Sequence, residues 1–280
     1  MTTEAELKLR LFLEALAQEE EPLGMMYSDE VPATGLSPKA GRLPSADDER
    51  ERGLDWAALN KGWSCVLGHL RLARKKKIPA YFERDRFGCL GGAFFLGFNK
   101  PQLEAVFYYV STGVPNVMEG ERYLSSPEAA RKFYTDHDPE PAPKRYCVFK
   151  PISQFQPHEA PEFVTFFGRP EMVSGLHQLA VFVTGDPETV ASPWGAGCAN
   201  VVSWPRKYAA EGRPRACLGG WDPSCRKFLK MEELTFTMPT EMYERMLDEW
   251  PNSFLTTREW AFVKSRIAQG NPKPETKVSL

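Results

Sequence analysis

The stretch Cys89-Leu90-Gly91-Gly92 occurs a second time as Cys217-Leu218-Gly219-Gly220. Each copy follows closely on an arginine, Arg86 or Arg215, and each has an earlier cysteine, Cys65 with 23 residues between and Cys198 with 18. The chain has only six cysteines in 280 residues, so two similar spacings point to a duplicated scaffold or a shared thiolate site. The expected fold is therefore α/β or mixed α+β, in two pseudo-repeated halves of about 20–135 and 146–268. Each half carries one Cys-Leu-Gly-Gly loop, the whole forms a single compact domain over 1–280, and 270–280 is a polar tail.

Working outward, the apolar positions Leu54, Trp56, Leu59, Trp63, Val66, Leu67, Leu70 and Leu72 have helical spacing and end in Arg74-Lys75-Lys76-Lys77. Cations suit the C-terminal end of a helix dipole, and Cys65 is expected on this helix. Pro79 to Phe82 reads as a strand and Phe87 to Phe98 as a glycine-broken strand or turn, followed by helices from Pro101 and from the serine cap Ser126. The polar run Asp136 to Lys144 is the candidate boundary between the halves. Beyond it, strands are expected at Tyr146 to Phe149, Glu162 to Phe167 and Leu234 to Met238. Helices are expected at Pro170 to Val183, Thr240 to Trp250 and Thr257 to Ala268. Strands and helices interleave, which excludes an all-helical bundle.

Composition sets the class. Hydrophobic residues make up 42%, charged residues 26%, and the formal net charge is −2, values ordinary for a globular protein and without the excess of cations that would draw it to nucleic acid. The first eighteen residues read as an amphipathic helix, not a signal peptide, and no apolar run is long enough to span a bilayer. The expected location is the cytoplasm, where thiols are kept reduced for packing, metal or chemistry.

Cys65, the segment Cys89 to Phe98, Phe149-Lys150-Pro151-Ile152, Phe163-Val164, Pro170, Leu176, Gly197-Cys198-Ala199, Cys217, Arg226 and Leu234 to Pro239 occur in an order that resembles the ArCR proteins, the family of domain of unknown function 169. The likeness runs from about Pro22 to Trp250. It implies recurring positions at Cys89, Cys198, a later cysteine and Arg226; the insertion Trp221 to Cys225 leaves either Cys217 or Cys225 for the later one. The family carries no assigned function, so the resemblance implies no reaction.

The leading expectation is a cysteine-ligated metal or iron–sulfur protein of redox or cofactor metabolism, with Cys65, Cys89, Cys198 and Cys217 as ligands. Four thiolates satisfy an iron–sulfur cluster, and the glycine pairs Gly91-Gly92 and Gly219-Gly220 let backbone amides approach sulfur or cofactor. No two cysteines have the short spacing of a ferredoxin or zinc ribbon, so such a site has to be assembled by tertiary folding. The alternative for the same cysteines is burial as small hydrophobes.

Two other functions compete. One is a metal-free small-ligand pocket built from the glycine-rich loops and aromatic residues. The other is a thiol enzyme: Asp222-Pro223-Ser224-Cys225 reads as a capped helix start, where the dipole, Arg226 and Lys227 are expected to depress the pKa of Cys225. Partners are accordingly a small molecule or a redox protein, with no nucleic acid and no membrane. The histidines His69, His137, His158 and His177 are too scattered for a zinc motif, with His137 expected in the linker and His177 in the core. Trp194 and Trp221 flank the second cysteine pair and are the aromatics of interest.

Overall fold

The computed structural model describes residues 3–39, 45, 47, 49, 64–86, 89–100 and 103–269. In chain order its first elements are α1 (Thr3–Ala15), β1 (Leu23–Ser28), α2 (Val66–Lys76), β2 (Ala80–Glu83), α3 (Leu90–Phe95), α4 (Glu104–Tyr109), the ribbon β3 (Gly113–Val114) and β4 (Met118–Glu119), and α5 (Pro127–His137). Then come β5 (Tyr146–Pro151), β6 (Phe163–Gly168), α6 (Pro170–Thr184), β7 (Val190–Ala191), a π turn (Ala199–Ser203), α7 (Trp204–Ala210) and β8 (Ala216–Gly219). The chain closes with α8 (Pro223–Arg226), β9 (Leu234–Pro239), α9 (Thr240–Glu249) and α10 (Arg258–Ala268).

The helices begin where their capping chemistry places them. Ser126 Oγ accepts from Ala129 N–H ahead of α5, and Thr257 Oγ1 accepts from Trp260 N–H ahead of α10. Pro170 opens α6 and Gly185, at φ +71°, ends it.

A seven-stranded sheet in the order β2-β5-β1-β6-β9-β8-β7 forms the backbone of the protein. Every pairing is antiparallel except β7 with β8. The central strand β6 is buried along its whole length, which suits its run Phe163-Val164-Thr165-Phe166-Phe167. Because side chains alternate across a strand, Phe163 and Phe167 enter one core while Val164 and Phe166 enter the other. The second core is covered by α1, α6, α9 and α10; the first lies under α2, α3, α4 and α5, and the candidate site lies on that side.

The mixed α/β architecture agrees with the sequence pattern, but the internal repeat does not reappear in the structure. Cys89-Leu90-Gly91-Gly92 caps and starts a helix, whereas Cys217-Leu218-Gly219-Gly220 is mostly strand β8. The sheet also inserts β5 between β1 and β2, so strands from before and after the supposed boundary share one hydrogen-bonded surface. That boundary is itself packed: Ala142 N–H donates to Gly97 O at 2.8 Å, and Arg206 donates to the carbonyls of Glu140 and Pro141. The strand or turn expected over Phe87 to Phe98 is corrected to α3, because Phe94, Phe95 and Leu96 are buried together by helical turns. Parts of several expectations lie outside the described residues: the first part of the helix from Leu54, Phe87 at the start of the strand or turn, Pro101 at the start of its helix, and the tail at 270–280.

Candidate functional site

Cys65, Cys89, Cys198 and Cys225 line one cavity of about 430 Å³ on the first-core side of the sheet. Each reaches it from the start of a helical segment. Cys65 is the N-cap of α2, Cys89 the N-cap of α3, Cys198 the residue before the π turn, and Cys225 lies in the first turn of α8. Amides at such ends point outward unpaired and stabilise electron-rich atoms. Gly92 N–H donates to Cys89 Sγ at 3.2 Å, whereas the Cys65 side chain makes no capping hydrogen bond to α2. Gly91 and Gly92 line the cavity, and the Cα of Gly91 faces open space toward Tyr134 Oη.

Cys217 is elsewhere. It is fully buried in β8, paired with Thr237 and beside Tyr208, under the π turn and α7. The expected fourth ligand Cys217 is thus replaced at the cavity by Cys225, because the second tetrapeptide is consumed by strand pairing. Gly219 and Gly220 do not line the cavity either. A Cβ on Gly219 would lie 2.4 Å from Asn200 Cβ, so this glycine seats the π turn, and Gly220 has φ +89° at the strand end.

Burial raises the pKa of the cavity thiols Cys65, Cys198 and Cys225, because the charged form is desolvated there. For Cys198 the next causes are the neighbouring sulfurs of Cys89 and Cys65, then Asp222 and Cys225. The depressed pKa expected for Cys225 is reversed. Its thiol is 2% exposed and faces the Asp222 carboxylate, while Arg226 turns away to the carbonyls of Gly220, Lys230, Met231 and Glu233. Arg226 therefore ties down the loop that follows α8, and its charge lowers the Cys225 pKa less than burial and Asp222 raise it.

A second polar group on the wall had no signal in the sequence. Ser224 Oγ donates to Glu121, Tyr109 Oη hydrogen-bonds the same carboxyl, and Tyr123 Oη accepts from Ser224 N–H at 3.0 Å. Burial raises the pKa of Glu121. Glu121 and Tyr123 follow the short ribbon β3–β4, too brief for any periodicity to reveal, and only folding brings them to Ser224. Trp194 lines the cavity and packs edge-on against Phe133 at 4.5 Å, whereas Trp221 is half exposed and donates to Ser192 Oγ.

The histidines are not part of the site. His69 Nδ1 lies 3.1 Å from Cys65 O while its ring packs against Phe82. His137, expected in a linker, is buried at the end of α5 against Phe133 and Trp204, and His177, expected in the core, is exposed on α6. Among the described residues no three His, Cys, Asp or Glu side chains are arranged to hold a single metal ion. No described helix is long and apolar enough to cross a membrane.

No curated protein and no solved structure matches the chain. The family model of the uncharacterised ArCR proteins, domain of unknown function 169, matches residues 12–249, a span that contains all four cavity cysteines; the chain belongs to the ArCR family.

Proposed function

We propose that the protein is a cysteine-ligated iron–sulfur protein of redox or cofactor metabolism, with Cys65, Cys89, Cys198 and Cys225 as the ligands. The observation that carries this reading is that four thiols from four separate segments line one cavity, each at the start of a helical turn. Four thiolates are the complement of a two-iron or four-iron cluster. A single tetrahedral ion with bonds of about 2.3 Å holds its sulfurs only about 4 Å apart, whereas a cluster spreads them over several metal atoms. The Gly92 amide already donates to the Cys89 sulfur, the kind of contact that stabilises and tunes such a centre.

Anaerobic reconstitution with iron and sulfide tests the reading. The wild-type chain is expected to gain a broad visible absorption band with matching iron and acid-labile sulfide. Serine at 65, 89, 198 or 225 is expected to lower both, while Cys147→Ser and Cys217→Ser leave them unchanged. A wild-type chain that takes up no iron, or a quadruple variant that keeps it, overturns the assignment.

A second reading is supported by the Glu121, Ser224, Tyr109 and Tyr123 group. A cavity of about 430 Å³ lined by aromatic and aliphatic side chains, with a carboxyl and three hydroxyls grouped on one part of its wall, has the makeup of a small-molecule pocket. Retention of a small organic molecule by metal-free protein, seen by mass spectrometry under native conditions and lost in Glu121→Ala, is the outcome that distinguishes it.

A further inference from the structure

Asp222 lines the cavity, is only 6% exposed, and accepts two backbone amides from distant parts of the chain. Its Oδ1 accepts from Cys225 N–H at 2.9 Å, the ordinary bond of a helix cap. Its Oδ2 accepts from Gly197 N–H at 2.5 Å, and Gly197 immediately precedes Cys198. Capping needs only one oxygen; the second fastens the Cys198 loop to the Cys225 turn. The approach is close, since a Cβ on Gly197 would lie 2.9 Å from Cys225 Sγ. A buried carboxylate satisfied by two amides is rigidly placed between the Cys198 loop and the Cys225 turn.

We propose that Asp222 is the positioning residue of the thiol site, joining Gly197 to Cys225 and so setting the spacing of the Cys198 and Cys225 sulfurs. Its use in holding a cluster rests on the iron–sulfur reading, but the seating of Gly197 against Asp222 and Cys225 is a property of the metal-free chain.

Phenylarsine oxide, which bridges two adjacent thiols, reads the pairing without iron. It is titrated into the reduced full-length chain carrying Cys65→Ala and Cys89→Ala, then into the same chain with Asp222→Ser or Asp222→Asn. The background is expected to bind one equivalent through Cys198 and Cys225. Serine still caps α8 but cannot reach Gly197, so Asp222→Ser is expected to weaken binding at least tenfold with an unfolding midpoint close to the background. Asp222→Asn, which keeps the shape but can accept only one of the two amides, is expected to weaken it several-fold and serves if the serine variant does not fold. Undiminished binding by a folded variant, or no binding by the background, overturns the proposal. Failure of the wild-type chain to take up iron is read separately and leaves the arsenical result standing.

Discussion

Arg74 Nη2 stands 2.5 Å from Glu233 Oε1 in the interior, with both side chains 5% exposed. Glu20 takes another edge of the guanidinium, and the ring of Phe167 lies 4.0 Å beneath its centre. This pair pins the end of α2 to the segment before β9. Removing Glu233 leaves the buried guanidinium with only the part-exposed Glu20, so Glu233→Ala is expected to cost about 3 kcal/mol. Glu20 is a third exposed, and its removal is expected to cost under about 1 kcal/mol. The double replacement Arg74→Met, Glu233→Leu is expected to recover most of the loss, because both charges leave together. Urea unfolding of the four chains checks the order; equal costs at Glu20 and Glu233 would refute it.

The third position of the repeated tetrapeptide gives opposite predictions in its two copies. At Gly219 an added Cβ meets Asn200 at 2.4 Å, and Asn200 is itself held by its bond to Pro193 O, so Gly219→Ala is expected to cost about 1–3 kcal/mol. At Gly91, inside α3, the nearest atom is Tyr134 Oη at 4.0 Å, so Gly91→Ala is expected to be neutral or to stabilise by up to about 1 kcal/mol. Thermal unfolding of the two variants decides it, and a repeat with equivalent structure in both halves requires them to behave alike.

Stability of the metal-free protein is expected to fall as pH rises above about 8.5. Cys147, Cys198, Cys217 and Cys225 are buried and their pKa values are raised, chiefly by desolvation. Above about pH 8.5 these thiols ionise in the unfolded chain while the folded chain keeps their protons. The unfolded state then binds fewer protons, and linkage gives a loss of about 1.4 kcal/mol per pH unit for each such thiol. Urea titrations under reductant between about pH 7.5 and 10 measure the slope. A flat profile contradicts the burial of these sulfurs.

His137 gives the acid limb. Desolvation, reinforced by the charge of Lys207, pushes its pKa down to about 4. The imidazole is 2% exposed, with Nε2 at 2.8 Å from Ser203 Oγ, and must remain neutral in the fold. Its folded pKa lies below the unfolded value of about 6.5, so the unfolded chain takes up its proton first as pH falls. Up to about 3 kcal/mol is expected to be lost between about pH 6.5 and 4. His137→Gln is expected to flatten that limb, as followed by unfolding midpoints at pH 4.5 and 7. An unchanged limb assigns the acid sensitivity to other groups.

The strands at 146–151, 163–168 and 234–239, and the helices opened by Ser126, Pro170 and Thr257, are legible in the sequence because period, cap and core agree there. The tetrapeptides are not. Cys-Leu-Gly-Gly has no strong local preference, and its surroundings decide: Ala93 to Leu96 buries a helical face, whereas Leu218 is paired between strands and Gly219 lies against Asn200. The thiols at 65, 89 and 198 are legible as a set, but the sequence pattern makes Cys217 their partner and Cys225 a reactive helix start. Exchanging them requires knowing that β8 runs through residue 217. The proline-rich polar run after His137 places it in a linker, yet its ring faces backward along α5 into Phe133 and Trp204.

The thiols at 65, 89, 198 and 225 belong to segments that the ribosome delivers far apart in time. No growing chain can present all four before α8 has emerged and docked. A ligand held by all four thiols can be completed only once α8 has docked on the earlier segments. Occupancy of the cavity would then be a certificate of completed folding, one that a truncated or half-assembled molecule cannot obtain.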